Sequence, residues 1–170
     1  MDLGLIVLRL VVGLLFAGHG AQKLFGAFGG GGIQSTEGMF DNIGLRPAGF
    51  HARAAGTAEF LGGLLIALGL FTPFAAAALI GVMTAAVATV HAPNGVWNTN
   101  RGYEYNVVLA AAVFALAGIG AGAWSLDSAF GFDLHGAIWA LAALGVGVIG
   151  GVGAVVSGRA AEGRQPHPIS

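Results

Sequence analysis

Five stretches of this chain run close to membrane-spanning length with scarcely a charge, and nothing else in it constrains the fold as strongly. They cover about residues 3–25, 51–70, 74–91, 104–119 and 137–156. A hydrocarbon core about 30 Å thick is crossed by about 20 apolar residues in a helix rising about 1.5 Å per residue. Only 9% of the residues are charged and 56% are hydrophobic, whereas soluble domains carry about 25% charged residues. That is too little charge to clothe a water-facing surface. The chain is expected to form an all-α transmembrane helical bundle, and its 170 residues suffice for one. The 31 glycines sit inside Ala, Leu and Val runs, where small residues let helices approach closely.

Several function classes drop out. There is no cysteine, which removes a disulfide framework, a thiolate nucleophile and thiolate metal ligation. A net charge of -1 argues against a nucleic-acid partner. The stretch MDLGLIVLRL lacks the basic n-region of a cleaved signal peptide, so the first segment is expected to stay as a membrane helix. No Ser/His/Asp signature, phosphate loop or dinucleotide fingerprint occurs, and GHG at Gly18–Gly20 follows no strand. Independent catalysis is therefore not expected. His19 and His91 lie on different segments and form no HxxxH or HExxH, so neither a metal site nor a haem is expected.

Between the spans, residues 27–32 form a glycine-rich break. IQSTEGMFDNIGLRP reads as a short amphipathic helix at the membrane surface, with Thr36 as its cap and Gly44 and Pro47 ending it. Thr72-Pro73 predicts a tight turn between the second and third spans, and APNGVWNTNRGY predicts a polar loop. Trp124 to Gly136 is placed at the outer interface. Gly147 and Gly151 stand in GxxxG spacing, a candidate contact with a second copy. The tail from Ser157 is polar and expected to be disordered. With five spans, Lys23, Arg46, Arg53, Arg101, Arg159 and Arg164 fall on one side and only Arg9 on the other. The positive-inside rule then puts the N-terminus outside and the C-terminus in the cytoplasm.

This topology collects polar residues in the inner half of the bundle. His19, Gln22 and Lys23 share a face at the end of the first span, as residues three and four apart on a helix do. Glu59 lies deep in the second span, His91 ends the third, and Glu104 and Asn106 enter the fourth. Ionisable side chains within a membrane are costly and usually face a bundle interior or a wet cavity. These seven residues are the candidate lining of a pocket open toward the cytoplasm. Glu59 is expected either to pair with Arg9 or, as the rival, to pair with Lys23 or His91 while Arg9 snorkels outward. Arg53 and Arg101 read more simply as side chains that snorkel to headgroups, and Trp97, Tyr103 and Tyr105 as an interfacial belt.

The sequence resembles the DoxX family of small bacterial membrane proteins. The resemblance rests on RLVVGLLFAGHGAQKLFG (Arg9 to Gly26), AEFLGGLLIALGLFTPFAA (Ala58 to Ala76), MTAAVATVH ending at His91, GYEYN (Gly102 to Asn106) and GAGAWSLD ending at Asp127. The family's shared polar positions match Arg9, His19, Lys23, Glu59, His91, Glu104 and Asp127. The resemblance covers roughly residues 5 to 128 and implies a four-helix core over residues 1–128; the apolar run and polar end beyond it add, on composition alone, a linker and fifth transmembrane helix over 129–157 and a cytoplasmic tail over 158–170. It also implies a redox connection, since relatives are associated with quinone-linked sulfur oxidation and with assemblies that include superoxide dismutase and a sulfurtransferase. The expected role is an integral subunit or anchor of such a complex in the bacterial plasma membrane, with a quinone in the inner-half pocket. The alternative is a transporter or channel for a small solute or proton.

Overall fold

A computed structural model describes residues 2–162; Met1 and residues 163–170, where most of the polar tail falls, lie outside the described residues. The chain is all-α, with no strand among the described residues. Helix α1 spans Asp2–Phe25, α2 Gly32–Asn42, α3 Ala48–Leu68, α4 Thr72–Ala86, α5 Glu104–Ile119, α6 Leu126–Ala129 and α7 Ala137–Glu162. A wide turn over Val87–His91 prolongs α4. Helices α1, α3, α4 and α5 close a four-membered ring, in which each packs on the next and α5 returns to α1. Helix α7 lies outside that ring against α4 and α5, and α2 lies across α1 and α3.

Polarity is inverted relative to a soluble protein. Leu3, Val7, Val11 and Leu14 of α1, Val107 and Val108 of α5, and Ile138, Ile149 and Val156 of α7 are exposed. Arg9, His51, Glu59, Asn106 and Asp127 are buried. In lipid the apolar side chains belong outside and the polar groups must satisfy one another inside. Three helical stretches, Asp2–Phe25, Thr72–Asn94 and Ala137–Ala161, are long and apolar enough to cross a membrane, and Glu104–Ile119 is a shorter apolar helix. His51, Arg53 and Glu59 lower the hydropathy of α3, which at 21 residues is long enough to cross and turns Phe50, Leu61 and Leu68 outward.

The crossing of α1 and α3 brings two helix backbones into contact. A Cβ on Gly13 would stand 2.6 Å from the Gly63 carbonyl oxygen, and one on Gly20 would stand 2.7 Å from that of Gly56. Real side chains do not come so close, so only glycine lets the two backbones touch here. The contact also sets the register of two antiparallel helices: position 13 faces 63, and position 20 faces 56 to 60.

Local details differ from the sequence reading at three places. Helix α2 begins at Gly32, so Thr36 is inside it rather than capping it, and its hydroxyl donates to Gly32 O at 2.9 Å. Helix α7 continues through Ser157 to Glu162, where a disordered tail is expected. Gly147 and Gly151 are buried against α4: a Cβ on Gly147 would stand 2.7 Å from Ala77 O, and one on Gly151 would stand 2.5 Å from Gly81 O. Their missing side chains are used up within one chain, which corrects the expectation that they join two copies. The turn at Thr72-Pro73 is as the sequence suggests, with Pro73 in the first turn of α4 and Gly69 ending α3 in the left-handed conformation.

Candidate functional site

The register of α1 on α3 decides which cation meets Glu59. Lys23, near the end of α1, donates from Nζ to Glu59 Oε2. The Glu59 side chain is 3% exposed and that of Lys23 25%. Arg9 is buried at the opposite end of the bundle, packed against Gly69 and donating from Nη2 to Trp124 O at 2.6 Å. The expected Arg9–Glu59 pair is thus replaced by the rival pairing of Glu59 with Lys23, but Arg9 is buried rather than snorkelling outward. The reason is axial: Arg9 lies level with Gly69, ten residues and about 15 Å along α3 from Glu59, beyond the reach of an arginine. The anion near Arg9 is Asp127, whose carboxylate accepts from Phe71 N at 2.7 Å, Thr72 N at 3.1 Å and Thr72 Oγ1 at 2.7 Å. Asp127 so joins the α3–α4 turn to the segment after α5, and Arg9 completes the knot from α1.

Beside the Lys23–Glu59 pair lies a cavity of about 220 Å³. Its walls come from all four helices of the ring: Phe16, His19 and Lys23 from α1, Glu59 from α3, Met83 and Ala86 from α4, and Tyr105, Asn106 and Leu109 from α5. His91, Asn98 and Gly102 close it at the loop end. The loop holds that position by folding on itself, with Glu104 N donating to Val96 O at 2.8 Å and Gly102 N to Trp97 O at 3.1 Å.

Five of the seven residues singled out from sequence, His19, Lys23, Glu59, His91 and Asn106, line this one cavity, and Gln22 and Glu104 do not. Gln22 donates from Nε2 to Phe28 O at 3.3 Å, in the glycine-rich turn. Counted from Phe16 at about 100° per residue, Lys23 returns to within about 20° and Gln22 stands about 120° away. Glu104 Oε2 accepts from Asn98 N at 3.0 Å and so braces the loop. Phe16, Met83, Tyr105 and Leu109 were not singled out as pocket residues. Phe16, His19 and Lys23 follow helical spacing, as do Tyr105 and Leu109, a signal that apolar packing also produces. Arg53 pairs with Glu37 at 2.7 Å rather than reaching to headgroups alone.

Chemically the cavity offers donors around one buried ion pair. His19 uses Nδ1 with Leu15 O at 2.8 Å, and His91 uses Nδ1 with Arg101 O at 2.8 Å. Fixing one ring nitrogen leaves Nε2 of each for another partner. Asn106 Nδ2 donates to Met83 Sδ at 3.4 Å, and the rings of His19 and Tyr105 stand 6.1 Å apart. No group of three or more His, Cys, Asp or Glu among the described residues is arranged to hold a metal ion.

Comparison with known proteins places these elements in context. The family model described as DoxX matches residues 4–92, which takes in α1 to α4 and His91. A membrane protein of Mycobacterium tuberculosis, described as uncharacterized, is 30% identical over 132 residues, covering 72% of this chain and 78% of the relative. No solved structure matches.

Proposed function

Since the chain belongs to the DoxX family, we propose that this integral membrane protein is the subunit or anchor of a redox-associated complex and binds a quinone head in the cavity beside Lys23 and Glu59. One observation carries the reading: four helices and a loop bring two histidines, a lysine, a buried carboxylate, an asparagine and a tyrosine to one small cavity. A quinone ring carries two carbonyl oxygens that accept hydrogen bonds, and its reduction takes up two protons. Lys23 Nζ and the Tyr105 hydroxyl are donors for those oxygens, while the Nε2 atoms of His19 and His91, whose Nδ1–H groups are held by the Leu15 and Arg101 carbonyls, accept from a quinol hydroxyl. A carboxylate and two imidazoles, the side chains that most often carry protons in general acid–base chemistry, line the same space. Electrons come from the partner protein, since the chain has no thiol to relay them. In the orientation set by Lys and Arg, with the N-terminus outside, the cavity faces the cytoplasmic side of the bacterial plasma membrane.

Purification in mild detergent followed by mass spectrometry of extracted lipids tests this. Wild-type protein should retain or take up quinone, and Lys23→Met with Glu59→Gln should lower the bound amount about tenfold. Wild-type protein that neither retains quinone nor takes it up when it is added would overturn the proposal. The depth of Glu59 favours a second reading, transport of a small solute or proton. Uptake into reconstituted vesicles that Glu59→Gln abolishes, with no quinone bound, would select it.

A further inference from the structure

The cavity beside Glu59 is small. At about 220 Å³ it lies below the range of about 300–1,000 Å³ common for drug-sized ligands. It accommodates a single ring and leaves no room for a long chain attached to it. A second, larger space of about 530 Å³ lies on the outer side of α3 and α4. Its floor is made of small side chains, among them Ala54 and Ala58 of α3 and Ala78 of α4, and α7 supplies the far wall with Gly150. The surface of this groove is overwhelmingly apolar. The two spaces have two walls in common, Lys23 and Ala86.

We propose that the groove between α3, α4 and α7 holds the hydrocarbon tail of the molecule whose head occupies the polar cavity, with the Lys23 side chain at the junction. This rests on the quinone reading and narrows it to quinones with a long alkyl or isoprenoid chain. Three features support it. The groove is apolar along its length and polar where Lys23 and His51 meet it, which matches an amphiphile with one polar end. The shared residue is also the cation of the head site, so a head bonded to Lys23 has its tail attachment within reach of the groove. Finally, α7 gives the groove its depth. Its glycines bring its backbone onto α4 at Gly147 and Gly151 and leave an open face at Gly150, where a Cβ would meet nothing within 4 Å. This assigns a role to the fifth helix, which lies outside the family match: it turns the lipid-facing side of α4 into a channel.

The test compares two probes with the same ring, decylubiquinone and the tail-less dimethoxy-methyl-benzoquinone. Binding is measured on the full chain in detergent, as wild type and with Ala78→Leu and Gly150→Leu together. Both positions are exposed within the groove, and the leucines fill it without touching the head site. Wild type should bind the decyl probe at least tenfold more tightly than the variant does, while the tail-less probe binds both alike. Wild type and variant that bind the decyl probe equally overturn the tail groove and leave the quinone reading standing. A variant that loses copurified phospholipid with no change in decyl binding also overturns it, since the groove is then a lipid seat. Failure of both probes on wild type removes the head site and the tail proposal with it. A variant unfolded by circular dichroism is replaced by Gly150→Leu alone, judged by the same outcomes.

Discussion

Replacing Lys23 by methionine strands a carboxylate in the middle of the bundle, and the size of the effect follows from the geometry. Glu59 sits eleven residues into α3, about 16 Å from its start, with its side chain 3% exposed. It cannot extend to water. Removing one partner of a buried pair costs about 3–5 kcal/mol, because the remaining charge keeps its desolvation penalty without compensation. For a chain of this size that corresponds to a midpoint lower by about 6–20 °C, at about 2–4 °C per kcal/mol. The reverse change, Glu59→Gln, should cost less. Lys23 is a quarter exposed and lies near the end of α1, so its ammonium can swing to the surface and recover hydration. The double variant Lys23→Met with Glu59→Gln should lose less than the sum of its singles, with a coupling of about 1.5–3 kcal/mol. Thermal unfolding in detergent followed by circular dichroism measures all four corners of the cycle. Strictly additive losses, or a Glu59→Gln loss equal to that of Lys23→Met, would refute the reasoning. A parallel cycle between Arg9 and Glu59 should show no coupling, because the register sets them about 15 Å apart along α3.

Other perturbations read different joints of the fold. Gly20→Ala should destabilise by about 1–3 kcal/mol, as overpacking does, since its methyl would meet the α3 backbone at Gly56. Gly18→Ala, with nothing within 4 Å of its Cβ, should be neutral or gain up to about 1 kcal/mol of helix propensity; equal melting points for the two variants would show that the α1–α3 contact is loose. Asp127→Ala should lower stability by about 1.5–3 kcal/mol in the same assay, because it strips the α3–α4 turn of the carboxylate that accepts from Phe71 N and Thr72. A reporter fused after Ser170 should behave as cytoplasmic and one inserted at Asp127 as external, and the opposite pattern would refute the orientation drawn from Lys and Arg.

The helices themselves are legible in the sequence because their cause is local. Long apolar runs broken by glycine, proline and polar loops permit one solution in lipid, since backbone groups there must bond within their own segment. Five runs correspond to five long helices, and the ordered motifs from Arg9 to His91 mark the family. Depth is legible as well. A histidine and a lysine near the end of one span and a histidine ending another fall at similar levels whatever the packing, which is why His19, Lys23 and His91 group together on their positions in the chain alone.

What the sequence leaves open is rotation and register. A wholly apolar helix has no polar face to say which side turns toward its neighbours, so Gln22 reads as well placed as Lys23, and Glu104 as well placed as Asn106. The rotation is set by Gly13, Gly20, Gly56 and Gly63, whose backbones touch across α1 and α3, and among 31 glycines nothing local distinguishes these four. The same contact fixes the register that gives Glu59 to Lys23 and sends Arg9 to the Asp127 end. Gly147 and Gly151 show the limit from the other direction. Their spacing announces a close helix contact, but whether the partner lies in the same chain or in another copy depends on where α4 stands, and only the tertiary structure puts Ala77 and Gly81 against them.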